Sequence, residues 1–302
     1  MLFKRALLVV ATLLVGLPVA ESAPNREAPV LTRKLNAYIG CMNRLSERSF
    51  DSRARYFSWA SESGPTGRER VIYGTYTIYD TSDCRKAVEA ANALEPHEAS
   101  LEAAATAYVA AVTALEPLLK EADDYYQQQN YKDDKMAKGK SLHPRLVAAW
   151  DAFAAADTAL RGGIEELQDR RALARLTEIE KAEGRKGPYF TELLMIEAKR
   201  VMRAETASSP DIAKITEAVA DFETTLKEVE AYAGSGFTSA AKAYLVTAKQ
   251  LMRRIRDKVP YSTGDKMMLS GQGSGWMVAG SPPRLTHDYN ALVSSYNRGV
   301  KF

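Results

Sequence analysis

Histidine is scarce in this chain: 302 residues hold three, His97, His143 and His287. None has a Glu three residues before it, which removes the paired Glu-x-x-His motif of di-iron bundles. None sits in a His-Glu-x-x-His zinc helix. His97 and His287 are expected in the first turns of helices and His143 stands before Pro144, so all three read as helix-terminal polar residues. No G-x-S-x-G occurs, and no Ser, His and acid can be placed together, which counts against a hydrolase. Charge of one sign is lacking too. The formal net charge is +3, small for this length, and gives no reason to expect nucleic acid as a partner.

Long apolar runs are absent after the first residues. MLFKRALLVVATLLVGLPVAESA begins with Lys4 and Arg5, continues apolar from Ala6 to Val15, and is broken by Gly16 and Pro18. It reads as a signal peptide over residues 1–22, with small Ala20 and Ser22 flanking Glu21. The other reading is an uncleaved N-terminal anchor, for which the run is short against a span of roughly 20 residues. Cleavage removes Lys4, Arg5 and Glu21, so the 41 basic and 38 acidic residues become 39 and 37. No transmembrane span is expected after that. No lipobox cysteine is present, so the expected address is exported and periplasmic.

Cysteine is limited to Cys41 and Cys84. Export would favour a disulfide between them. Closing that loop of about 43 residues would contribute about 4 kcal/mol in a chain-entropy account. Two buried free thiols are the alternative.

What is present is helical periodicity. Residues 23–30, with Pro24 and Pro29, are expected to be disordered, and a helix begins near Leu31. Its stripe is Leu31, Leu35, Tyr38, Met42 and Leu45, and Arg44–Arg55 is expected to lie mostly in solvent. Residues 61–83 break the pattern: a turn-rich SESGPTGRER precedes VIYGTYTIYD, the one convincing extended segment. Ser82 or Asp83 can cap a short helix after it.

Further seams follow. One runs Leu101, Ala105, Tyr108, Val112, Leu115, Leu119, Ala122 and Tyr126, with a kink or break expected at Pro117. From Pro144, expected at a first helical position, the next runs Leu146, Trp150, Phe153, Asp157, Leu160, Ile164 and Leu167, weakened at Gly162 and Gly163. Asp157 on that apolar seam needs a partner, expected as an arginine or tyrosine from a neighbouring helix. Helices starting at Pro188 and at Pro210 (cap Ser209), one over Phe237–Arg256, and a last one capped by Thr286 complete the set. Residues 258–285 read as irregular; their GQGSGW lacks the strand and helix of a phosphate loop and reads as a loop docking Trp276. The basic run Lys249, Arg253, Arg254, Arg256 and Lys258 suits a helix C-terminus, or an anionic lipid or acidic partner.

One motif occurs twice: NAYIGCMNR over Asn36–Arg44 and NALVSSYNR over Asn290–Arg298. Asn36 and Asn43, like Asn290 and Asn297, fall two turns apart on one helix face. They are expected to lock a seam where the first and last helices meet, with Gly40 and Ser294 allowing close approach. The expected fold is all-α: an elongated antiparallel helical bundle, first and last helices packed together, with a short extended or irregular insertion near residues 61–83. Residues 31–302 are expected as a single domain with a hinge near 183–188.

The polar segment from Glu121 to His143 is the strongest ligand candidate. Asp123, Asp124, Asp133 and Asp134 lie among Tyr125, Tyr126 and Tyr131 and could collect a hard cation, although the spacing is not that of an EF-hand. The alternative is a solvated connection whose tyrosines pack on the bundle. No cofactor is expected.

At Lys34-Leu35-Asn36-Ala37-Tyr38, at Tyr126 with YKDDKMAKGKSLHP, and at Tyr289-Asn290 with Tyr296-Asn297, the chain resembles the YiiG-like family. These are bacterial envelope proteins, mostly defined as a domain of unknown function. The resemblance implies a helical, exported protein with no assigned activity and carries over no catalytic residue. Many such proteins look like lipoproteins, which this chain, without a lipobox cysteine, does not. The expected function is that of a non-enzymatic scaffold or partner-binding protein of the envelope. Its partner would be an unidentified envelope protein or ligand. The competing reading is a small-ligand or cation-binding protein using residues 123–134.

Overall fold

A computed structural model describes residues 27–271 and 273–300. These residues are all-α. The elements are α1 (Glu27–Phe57), α2 (Thr81–Asn92), α3 (Ala99–Gln127), α4 (Ala137–Glu183), α5 (Gly187–Thr206), α6 (Ile212–Glu230), α7 (Ser235–Arg256), α8 (Thr263–Ser270) and α9 (Pro282–Asn297). The signal segment and residues 23–26 lie outside the described residues. Residues 27–30 are helical, so the disorder expected there does not reach α1.

Contacts group the chain into two compact units, meeting at Gln168 and Asp169 within α4. The sequence placed a hinge at 183–188 instead, where α4 ends and Gly184 takes a φ of 73° before α5. The twin motif is divided by this arrangement. Asn36 and Asn43 belong to one unit, where α1 packs on α2; Asn290 and Asn297 belong to the other, where α9 packs on α7 and α5. Each helix thus has packing partners within its own unit. Asn36, Asn43 and Asn297 are exposed, and a Cβ built on Gly40 would meet nothing within 4 Å.

In the unit ending at Gln168, α1, α2, α3 and the first part of α4 share a core. Phe153 of α4 meets Phe50 of α1 at 5.0 Å and Tyr108 of α3 at 6.0 Å between ring centres. Pro117 leaves α3 unbroken because it faces solvent, where water can serve the carbonyl it frees. Helix α4 starts a turn or more before Pro144, since Asp134 Oδ2 accepts from the Lys138 amide at 2.9 Å and caps the earlier start. Gly163 does not interrupt it. A Cβ there would come within 3.1 Å of Leu101 of α3, so the glycine serves close packing.

The extended insertion is held without a sheet. Side chains of α1, and Trp59 just after it, donate to its carbonyls: Arg48 to Thr77 (3.2 Å), Ser52 to Tyr76 (2.7 Å), Arg55 to Tyr73 (2.8 Å) and Trp59 to Gly74 (2.9 Å). These partners answer the backbone groups that a neighbouring strand would otherwise satisfy. They also correct the reading of Arg44–Arg55 as a solvated face, because Ser46, Ser49 and Ser52 are buried.

In the unit beginning at Asp169, α5 packs on α6, α6 on α7, α7 on α9 and α9 on α5, a closed four-helix arrangement. Its core is drawn from their apolar faces, with Phe222, Tyr244, Leu251, Leu285 and Leu292 among the buried residues. Three caps differ from expectation. Asp80 in the left-handed region precedes α2 without a side-chain bond, Asp211 caps α6 in place of Ser209, and Ser281 caps α9 five residues before Thr286.

Candidate functional site

The residues Lys34 and Tyr38 stand one turn apart on α1 and both point inward, fully buried. Lys34 Nζ forms an ion pair with Glu102 at the start of α3 and donates to the Pro96 carbonyl at 3.0 Å. Tyr38 donates to Asn92 Oδ1 at 2.6 Å, and Asn92 Nδ2 donates to Thr106 Oγ1 at 3.1 Å. His97 Nδ1 lies 3.2 Å from Glu102. Burial would raise the pKa of Glu102, but the Lys34 ammonium, the Glu98 amide and His97 outweigh it and leave it below the usual carboxylate range. These contacts fix the turn from α2 into α3.

Beside this turn, α2 and α3 enclose a groove of about 420 Å³. Val88 and Val109 form its floor, both buried; Ala110, Thr113 and Ala114 form a shallow wall; Asn92 and Thr106 close the end. Arg85 and Glu89 stand on the rim. One wall is clamped from behind. Cys84 of α2 lies at disulfide distance from Cys41 of α1, with Cα atoms 5.2 Å apart and both side chains buried.

A second buried polar group lies deeper in this unit. Asp157 accepts from Ser46 at 2.6 Å and from Arg161 at 2.7 Å, and Ser46 meets the Tyr108 hydroxyl at 2.9 Å. The arginine is on Asp157's own helix, while α1 contributes the serine; the tyrosine is reached only through Ser46. Burial, then the Asp157 charge, raises the Tyr108 phenol.

The structure does not gather the aspartates of 123–134 around one point. Asp123 accepts from Gln127 at 3.2 Å, Asp124 faces Lys120 at 3.9 Å, Asp133 is exposed, and Asp134 holds the Tyr125 hydroxyl at 2.7 Å while capping α4. Tyr126 is buried against Trp59, with Tyr131 stacking beside it. Among the described residues no group of three His, Cys, Asp or Glu side chains could hold a metal ion. His143 accepts or donates between Tyr56 (3.0 Å) and the Glu62 carbonyl (3.2 Å), as a link between α4 and the insertion.

The other unit carries a cavity of about 310 Å³ lined by Val246, Thr247, Gln250, Ala279 and Arg284. Its polar edge is tied up: Asp288 accepts from Thr247 at 2.6 Å, Arg284 at 2.9 Å and His287 at 3.0 Å. Two glutamates are perturbed upward. Burial pushes Glu205 up to about 9, offset in part by the Met252 amide, and neither carboxyl oxygen has a well-formed hydrogen bond. Burial pushes Glu197 up to about 7, against the Thr225 hydroxyl. Neither lines either cavity.

The sequence signal for the groove was available at Lys34. A lysine between Leu31 and Tyr38, at core spacing, marks a buried cation with a partner. Asn92 and Glu102 had no comparable signal, since neither helix spacing nor residue type distinguishes them from surface polar residues.

Residues 29–298 match the family described as a protein of unknown function (DUF3829). The chain is also 36% identical over 297 residues to the uncharacterized protein YiiG of Escherichia coli strain K12, covering 93% of this chain and 85% of that protein. No solved structure matches. With the family match spanning both units and this identity to YiiG, the chain belongs to the DUF3829 family of YiiG-like proteins.

Proposed function

We propose that this chain is an exported periplasmic protein that acts by binding rather than by catalysis, holding a helical segment of an envelope partner in the α2–α3 groove. The observation that carries this reading is the Cys41–Cys84 pair. Such a bond persists in an oxidising compartment and is rare in a reducing one, and it anchors the helix that forms one wall of the groove. An apolar floor with small residues on one wall suits an amphipathic helix laid along it, with Arg85 and Glu89 able to meet charges on its flanks. The most perturbed carboxyls lie outside both cavities, which supports binding over acid–base chemistry.

Two measurements test this. In intact cells, Cys41 and Cys84 are expected to resist thiol alkylation until a reductant is added; ready alkylation sinks the export reading. A photo-crosslinking residue at Thr113 is expected to give one adduct of defined mass, lost when Ala110→Trp fills the groove. The same crosslinker at exposed Thr158 on α4 is expected to give none. Equal adducts at both positions would remove the groove from the proposal.

A further inference from the structure

Large apolar side chains stand exposed at ten positions among the described residues, and four fall within a short stretch: Val259, Met267, Trp276 and Met277, at 48, 72, 41 and 55% exposure. Helix α8 buries none of its side chains, and neither does the 3-10 turn Gly275–Met277 that packs on it. This is a built platform. Ser262 and Asp265 form a capping box at the start of α8, and Ser274 donates to the Met268 carbonyl at 2.8 Å. Arg254 at the end of α7 donates to the carbonyls of Val259, Pro260 and Ala279, while Tyr261 donates to Gly280 at 3.0 Å. The Trp276 ring stacks on His287 with centroids 4.8 Å apart.

The same segment concentrates positive charge. Residues 253–277 carry Arg253, Arg254, Arg256, Lys258 and Lys266 against Asp257 and Asp265, a net +3 that equals the formal net charge of the whole chain. Both acids are engaged locally, Asp257 by Arg256 at 2.7 Å and Asp265 by the capping box. Exposed lysines therefore adjoin the exposed apolar residues, Lys258 beside Val259 and Lys266 beside Met267.

We infer that the platform formed by residues 259–271 and 273–277 docks on an anionic lipid surface, with Met267, Trp276 and Met277 entering the headgroup boundary and the lysines meeting lipid phosphates. Exposed apolar residues beside Lys and Arg are the composition of interfacial segments, and tryptophan favours that boundary. Among the described residues no helix is long and apolar enough to cross a membrane, so the contact is one of surface docking. A purely acidic protein would leave Met267 and Met277 without a role. The inference is independent of the groove on α2 and α3.

The test reads Trp276 locally in the full chain, so that lipid contact by any other segment does not enter. Vesicles of bromine-labelled phosphatidylglycerol are expected to quench the emission that is absent from Trp276→Phe, and vesicles of bromine-labelled phosphatidylcholine to leave it largely unchanged. Met267→Asp with Met277→Asp is expected to weaken this contact about tenfold, with the melting temperature unchanged because both side chains are exposed. Lys258→Glu with Lys266→Glu is expected to weaken it by a similar factor of about ten. The inference is overturned by lack of Trp276 quenching, or by equal quenching from both lipids. It is also overturned if only the lysine variant loses binding, which would mark a charge-only surface for an acidic protein.

Discussion

The two units differ in one respect in how they treat buried charge. In the unit ending at Gln168, buried ions are paired: Lys34 with Glu102, and Asp157 with Arg161 and Ser46. Its buried side-chain groups without a partner include the Thr75 hydroxyl and the Trp150 indole, which are neutral. Every carboxylate that departs from its ordinary value there, Glu69, Glu102 and Asp134, moves down. The unit beginning at Asp169 also contains lowered carboxylates, but it alone holds Glu197 and Glu205, both raised by burial. A paired buried ion fixes which helices meet, whereas an unpaired carboxyl is tolerated by staying protonated.

The largest expected effect breaks the paired side. Lys34→Met leaves Glu102 facing a buried apolar group and is expected to cost about 3–5 kcal/mol in chemical denaturation. Double replacement, Lys34→Met with Glu102→Leu, is expected to recover most of that loss. A loss below about 1 kcal/mol for the single variant would mean that the pair is solvated and the contrast is overstated.

Glu205 sharpens the other side. Its folded value, about 9, lies above its ordinary 4.5, so the folded state holds a proton that the unfolded state releases between those limits. Stability is thus full below about pH 4.5 and declines as pH rises towards 9. Glu205→Gln is expected to remove most of this decline, stabilising the protein by at least about 2 kcal/mol at pH 9 and little at pH 4. A residual slope ending near pH 7 should remain from Glu197. Parallel pH profiles for parent and variant would show that Glu205 finds a partner in solution.

The smallest effect concerns the repeated asparagines. Asn43→Leu and Asn297→Leu are each expected to change stability by no more than about 0.5 kcal/mol, because both positions are exposed. A loss above about 1 kcal/mol at both would restore the idea that they lock helix borders.

The helical seams were legible because a 3.6-residue period survives in sequence wherever one face is buried, as on Ile215, Val219, Phe222 and Leu226. Asp157 was legible as a buried acid for the same reason, by interrupting such a seam. Its partners were less so. Ser46 resembles any helix-surface serine, and only tertiary packing turns it inward. The twin asparagine motif was legible as two like helical segments, since likeness reports local helical form and says nothing of proximity. Likewise Pro117 read as a kink or break and Pro144 as a helix start, yet a proline facing solvent leaves α3 continuous and the Asp134 cap starts α4 earlier. For the groove, Lys34 could be read and Asn92 could not, since the α2–α3 turn that brings them together is a long-range arrangement.

The insertion, held by Arg48, Ser52 and Arg55 of α1 and by Trp59 just after it, lies between Cys41 and Cys84, 43 positions apart and at disulfide distance. Arg68 and Arg70, exposed in that loop, offer a protease two places to cut. A chain severed there would remain one molecule, its fragments parting only after reduction. With the bond formed, the groove would outlast a broken backbone.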